Sequence, residues 1–322
     1  MHRFNPVLRI VVQGSLKRLV SQGQSMGDFA IPTEQKYKQI RSYISKMPSL
    51  STTVTKVLEI CSNSNSSPND LSRVISLDPV LTGQLLKVVN SAYYSLPSEV
   101  RSSAHAIILL GLNTVRNLVL STAILASMSG KEPLRGFSMD DFWAHSICVG
   151  VTAKSLAVIK GVPIAEREGY FVAGLLHDLG KIPINRQFPD GYIRALDIVK
   201  LEQNPLHRAE DSVFGFDHCL IGKIIAEKWQ LGDTIVETLC YHHDPKSAKE
   251  QNRNFIAIVA LANIYANIFQ IGSSGDPYPD DRVLNYLLKQ LGINWSQLSG
   301  LRENVLDDIE KAKIFLRVAK RR

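Results

Sequence analysis

Five of the eight histidines, His145, His177, His218, His242 and His243, stand in a suggestive order between residues 138 and 270, and Asp178 directly follows His177. Imidazole and carboxylate together suit borderline divalent metals such as Zn, Fe or Mn, and several such groups converging from different helices would form a metal cage. Asp141 stands four residues before His145, so the two side chains would share one helix face and could ligate jointly. Each position also has a plainer reading. Ser138-Met139-Asp140-Asp141 is a capping-box pattern, in which Asp141 would only satisfy backbone donors at a helix start. His145, followed by Val149, and His218, in line with Ile221, Gly222, Ile225 and Trp229, each have the core histidine as the second reading. His207, between Pro205 and Arg208, reads as an exposed loop residue.

The tightest signal is Val172-Ala-Gly-Leu-Leu-His177-Asp178-Leu-Gly180-Lys181. An apolar helix would deliver His177 and Asp178 at its C-terminal end, with Gly180 as the left-handed residue that stops it. An ionisable pair at the end of a buried helix costs free energy unless a metal or hydrogen bonds compensate it.

The elements around these residues are helical by pattern, and convincing alternating runs between hairpin turns are few, so the expected fold is all-α. Ser67-Pro68-Asn69-Asp70 starts a helix with a capping Ser and Pro at its first position, and Leu71, Val74 and Ile75 form its buried stripe. Asp78-Pro79 closes that helix and opens the next, which carries Leu81, Leu85, Val88 and Val89. From Ala104 to Thr122 the apolar spacing gives one long helix or a broken pair, ending near Ser129-Gly130. Lys131 to Phe137 is the best internal boundary, a second helical block runs from Ser138 to about Gln270, and Gly272 to Pro279 is a loop followed by a charged helical tail.

The 322 residues, 45% hydrophobic and 21% charged, make a soluble globular composition. No stretch reads as a membrane span, and Val7-Leu8-Arg9-Ile10-Val11-Val12 does not read as a signal peptide. Cys61, Cys148, Cys219 and Cys240 stand far apart in apolar surroundings, as reduced thiols of a cytoplasmic protein would. The net charge of +7 sits at the ends: residues 1–46 and 311–322 carry +6 each, which leaves −5 on the 264 residues between. Those ends are solvated helix faces or contacts for an anionic partner, nucleic acid or lipid; the folded body lacks the basic stripe of a nucleic-acid binder.

Leu-Leu-His-Asp-Leu-Gly-Lys resembles the HD superfamily of helical metal-dependent phosphohydrolases. The first block narrows the resemblance. Met47-Pro48-Ser49-Leu50, Val74-Ile-Ser-Leu-Asp78-Pro79-Val-Leu81, Leu85-Leu-Lys-Val-Val-Asn90-Ser91-Ala92-Tyr93-Tyr94, Ser103-Ala-His-Ala-Ile107 through Leu112, and Tyr241-His242-His243-Asp244-Pro245 together are similar to the HDOD domain, the HD-related output domain of bacterial signalling proteins, over roughly residues 40–270. The resemblance implies an N-terminal helical subdomain (41–130) packed on an HD-like bundle (138–270), with a basic extension at 1–40 and a loop and basic helical tail at 271–322. By comparison with the dinucleotide-cleaving HD-GYP relatives, His145, His177, Asp178, His218, His242 and His243 stand at metal-ligand positions and Asp141 at one that can be acidic. Asn263 falls where those relatives place a last Asp, and no Gly-Tyr-Pro loop follows His243. The implied function is a regulatory output module, non-catalytic, acting through a signalling protein partner or a nucleotide and holding at most one divalent ion (Fe, Mn or Zn). The alternative is a working metal-dependent phosphohydrolase.

Overall fold

Capping chemistry shapes the first block. In the computed structural model, which describes residues 31–63, 66–128 and 133–319, every regular element is helical and no strand occurs among the described residues. Helix α1 (Thr33–Lys46) is followed by α2 (Thr52–Ser62), α3 (Pro68–Ser76) and α4 (Pro79–Val89). Ser67 and Asp70 form a reciprocal capping box at α3. The Asp78 carboxylate accepts the Leu81 N–H at 2.9 Å at the start of α4. Leu71 and Ile75 are fully buried, with Val74 packed against the core, and Leu81, Leu85, Val88 and Val89 bury the inner side of α4.

The apolar stretch from Ala104 is a broken pair, α5 (Ser103–Leu110) and α6 (Leu112–Met128), separated at Gly111 with φ +83°. Helices α2, α4 and α5 pack around α6. The expected helix end at Ser129-Gly130 and the first residues of the Lys131–Phe137 segment lie outside the described residues. The rest of that segment is stitched to the second block: Arg135 N–H donates to Asn185 Oδ1 (2.8 Å) and Asn185 Nδ2 donates back to the Arg135 carbonyl (2.9 Å).

The second block holds α7 (Met139–Ile159), α8 (Ile164–Leu176), α9 (Lys181–Gln187), α10 (Pro189–Glu202), α11 (Leu206–Phe214), α12 (His218–Lys228), α13 (Asp233–Tyr241), a short 3-10 turn (Pro245–Ser247) and α14 (Glu250–Ile268). The pair α7–α8 is the most extensively packed, with α14 against both and α6 joining the two blocks through α8. Sequence reading missed that α7 is, by length and composition, apolar enough to cross a membrane. Most of it is buried among its neighbours, and it carries His145 at 1% exposure, so its apolarity is that of a core helix.

Two boundaries differ from the sequence reading. Helix α1 runs through residue 40, where the N-terminal extension was expected to end, and it packs on α9 and α11 of the second block. Its C-terminal carbonyls explain the docking: the Lys228 ammonium, at the end of α12, donates to Ile44, Ser45 and Met47 carbonyls at 2.7, 3.0 and 2.6 Å. At the other end, α15 (Asp281–Leu291), α16 (Trp295–Ser299), α17 (Arg302–Ala312) and α18 (Ile314–Ala319) follow the loop. They form no free tail, since α17 packs on α7 and α18 on α4 and α6, burying Phe315 completely.

Candidate metal centre

The end of α8 brings the chemistry to one point. His177, its C-terminal cap, and Asp178 are both fully buried. Gly180 is not left-handed as expected: its φ of −64° and ψ of −21° are right-handed helical, and it opens α9. What excludes a side chain is proximity, because a Cβ on Gly180 would lie 2.0 Å from the His218 carbonyl oxygen and 2.6 Å from Gly222 N. That contact seats the start of α12 against the His177-Asp178 turn and so places His218 beside Asp178.

The six residues His145, His177, Asp178, His218, His242 and His243 converge, and the Asp178 carboxylate divides them. Its Oδ1 lies 3.3 Å from His218 Nε2 and 3.6 Å from His242 Nε2. Its Oδ2 lies 3.3 Å from His177 Nε2 and 3.7 Å from His145 Nε2. His243, half-buried, places Nε2 3.2 Å from His218 Nε2. Asp141 does not join them. Its exposed carboxylate accepts the Ser138 hydroxyl at 2.7 Å while the Asp141 N–H donates to the Ser138 oxygen, so the candidate acid is occupied by the cap of α7.

The outer nitrogens fix which ring nitrogens carry protons. His177 Nδ1 donates to the Gly174 carbonyl at 2.7 Å, and His242 Nδ1 to the Thr238 carbonyl at 3.1 Å. His218 Nδ1 meets Glu210 Oε2 at 2.6 Å, an oxygen that already accepts the His218 backbone N–H at 2.9 Å. In the His218 and His242 rings Nε2 is therefore a bare lone pair turned inward. Burial drives His145 and His218 down to about 3 and His242 to about 4, and it holds His243 well below the usual range, so all four are neutral at pH 7.

Two imidazole lone pairs, His218 Nε2 and His242 Nε2, thus face each other at 3.3 Å with a carboxylate oxygen beside them. Asp178 Oδ1 and His177 Nε2 are buried without a hydrogen-bond partner. Electron-rich atoms turned toward one another in a dry interior repel unless a cation lies between them. The residues on the Oδ1 side therefore fit a metal ion.

The Oδ2 side is largely satisfied already. The buried Lys181 ammonium donates to Asp178 Oδ2 at 2.7 Å and to Ser274 Oγ at 3.1 Å. Asn263 Oδ1 accepts Asn267 Nδ2 at 3.4 Å, which turns the amide oxygen toward His145 Nε2 at 3.1 Å and makes that nitrogen the donor. Burial opposes ionisation of Asp178, yet His177 and the Lys181 ammonium outweigh it and hold the carboxyl well below the usual carboxylate range.

Sequence reasoning missed Glu210, Lys181, Asp276 and Cys219. Burial pushes Glu210 up to about 8 and Asp276 up to about 6, with Lys181 opposing both shifts. Cys219, next to His218, places Sγ 4.0 Å from both ring nitrogens of His242. The loop 272–279 covers the site: Ser274 and Asp276 are buried, and Asp276 Oδ1 accepts the Leu206 N–H at 2.9 Å. The expected exposure of His207 is corrected too. It lies in the first turn of α11 and stacks on His243 with ring centroids 4.2 Å apart, and burial drives it down to about 3. Sequence signals existed for Glu210, an acid on the apolar side of α11 between Leu206 and Phe214, and for Cys219, adjacent to a marked histidine. A cleft lined by His207, Arg208, His242, His243, Asn263 and Asn267 reaches the cluster from outside.

An all-helical body that turns a His-Asp doublet inward against further histidines defines an HD-type helical domain. The chain belongs to the HDOD domain family, whose model matches residues 47–245. An uncharacterized protein of Treponema pallidum (strain Nichols) is 26% identical over 225 residues, 70% of this chain; the chain spans 43% of that relative's length. An HDOD domain protein of unknown function from Geobacter sulfurreducens has a similar structure, with a TM-score of 0.66 at 24% identity over 88% of this chain and 98% of the other. A Shewanella amazonensis protein provisionally designated a phosphohydrolase matches with a TM-score of 0.64 at 24% identity over 87% and 97% of the two chains. At these identities the structural likeness establishes the helical fold.

Proposed function

We propose that this protein is a cytoplasmic signal-transduction output module that holds one divalent metal ion and acts through protein or nucleotide contacts, without phosphoester hydrolysis. The charge balance of the cluster carries the reading. Five buried or half-buried imidazoles surround a single ionised carboxylate, Asp178, and one of its oxygens is committed to Lys181. Where a second cation would need a carboxylate, Asn263 offers His145 an amide oxygen.

Two divalent ions would bring four positive charges into this interior, and one carboxylate compensates them poorly. His218, His242, His243 and Asp178 Oδ1 would hold one ion, with Glu210 and the Thr238 carbonyl orienting the first two rings from behind. An ion there supplies a fixed positive charge and Lewis acidity. A second ion of a two-metal clamp for in-line displacement at phosphorus would have to share Asp178 with His145 and His177, with no further carboxylate of its own. The ligands would instead tie α8, α12 and α13 together, so metal occupancy and the arrangement of these helices become linked.

For a protein contact, the first block offers Leu77, Val80, Ile108 and Leu109, all exposed, on the mutually packed α3, α4 and α5. One observation favours the hydrolase reading: the cleft opens the His242, His243 and Asn263 side of the cluster to solvent, with Arg208 at its wall. Protein loaded with Mn or Fe and assayed on a phosphodiester separates the two readings. Turnover below detection supports the regulatory module. Turnover at about 1 s⁻¹ or faster, within the usual enzymatic range, that disappears in Asp178→Ala overturns it.

A further inference from the structure

A ligating imidazole is ordinarily aimed by a partner on its other ring nitrogen. His218 has that partner in Glu210 and His242 in the Thr238 carbonyl, at 2.6 and 3.1 Å. His243 is held differently. Among the described residues its hydrogen-bonding contact is Nε2 with His218 Nε2 at 3.2 Å, on the metal side of the ring. From outside the ligand set it meets one ring: His207, in the first turn of α11, lies against its face with centroids 4.2 Å apart and planes 25° from parallel. The co-ligands His218 and His242 meet the same ring at 77° and 45°, so neither covers it in this way.

His207 is itself built into place. Asp276 Oδ1, carried by the loop 272–279, accepts the Leu206 N–H at 2.9 Å and pins the first turn of α11. His207 Nδ1 is buried without a hydrogen-bond partner, so ring contact, and not a polar bond at that nitrogen, keeps the side chain where it is. His207 also stands outside the group of donors that lie within 4.8 Å of one another, His218, Cys219, His242 and His243.

We infer that His207 is a positioning residue for the metal centre: its ring backs His243 and keeps His243 Nε2 turned toward His218 Nε2, in place of the hydrogen bond that aims His218 and His242. The inference rests on the one-metal reading above and adds to it a residue that ligates nothing. Conjugated rings in offset or tilted stacks attract one another beyond their burial. A ring held this way is ordered before an ion arrives, so less affinity is lost in ordering it on binding.

Zinc affinity of the full chain, measured by competition with a chromophoric chelator, tests this with three substitutions at one position. His207→Phe keeps a flat ring without its nitrogens and should bind zinc within about threefold of wild type. His207→Leu fills the space without a ring face, and His207→Ala empties it. Both should weaken zinc binding by about 10-fold, the lower end of the 10–100-fold typical of lost supporting contacts. Urea unfolding of the metal-free proteins should give His207→Leu and His207→Phe the same midpoint, and this pair carries the comparison if His207→Ala does not fold. A lower metal-free midpoint in His207→Leu that matches its loss of affinity assigns the effect to folding and overturns the positioning role. Wild-type affinity in His207→Leu overturns it too, as does a His207→Phe protein as weak as His207→Leu, since a nitrogen of His207 would then be the contact; in all three cases the one-metal reading stands. A folded wild type that binds no zinc overturns both.

Discussion

Gly180→Ala sets two physical effects of opposite sign against each other. Gly180 has ordinary right-handed helical angles, so by backbone entropy alone an alanine there would stabilise the protein by about 0.4–1 kcal/mol. The added methyl, however, would sit 2.0 Å from the His218 carbonyl oxygen and 2.6 Å from Gly222 N, where about 3.5 Å is comfortable. Both neighbours are backbone atoms, so neither can rotate away, and relief requires the starts of α9 and α12 to separate by about 1.5 Å. Overpacking of this kind costs about 1–3 kcal/mol, and a backbone-on-backbone overlap belongs at the upper end. We therefore expect Gly180→Ala to be destabilised by about 2 kcal/mol or more in urea unfolding at unchanged m-value, with weaker zinc binding because His218 moves. Gly83→Ala is the matched control. Gly83 is exposed on α4, with nothing within 4 Å of its added Cβ, so this variant should gain about 0.5–1 kcal/mol. A Gly180→Ala protein as stable as Gly83→Ala, with unaltered zinc affinity, would refute the close-approach argument.

Asn263→Asp should raise metal content above one ion per chain, read by elemental analysis, because it supplies the carboxylate that the His145 side lacks. Asp78→Ala should cost about 1 kcal/mol through loss of the α4 cap, and an unchanged melting temperature would count against that role. Glu210→Gln should alter the pH dependence of stability in the metal-free protein. The folded pKa of Glu210 is raised to about 8 by burial, so its contribution to stability is fully present below about 4.5 and is lost as pH rises toward 8. The variant lacks this term, and its melting temperature relative to wild type should improve steadily from pH 5 to pH 8; a constant difference would contradict the assigned shift.

The helical blocks were legible because capping residues and apolar periodicity are local. Ser67, Asp78 and the Leu71 stripe act within a turn or two of themselves, and the structure uses them as read. The His-Asp doublet was legible for a different reason: charged residues closing an apolar helix demand compensation. What was not legible depends on distant chain. Gly180 as a helix stop and Gly180 as a point of close approach look identical until α12 is in place. Lys181 seemed the polar end of a motif, yet it is the buried partner of Asp178, and His207 appeared exposed only because the ring of His243, which stacks on it, comes from the distant turn after α13. Helix α1 carried the charge of an extension, and its docking is set by Lys228, some 180 residues later.

The central claim is that one ion, and one only, is held on the Asp178 Oδ1 side. Elemental analysis of protein purified without added metal, alongside Asp178→Asn, tests it most directly. The account predicts one Zn, Fe or Mn ion per wild-type chain and none in the variant. Two ions per wild-type chain, or an Asp178→Asn protein that keeps its metal, would contradict it.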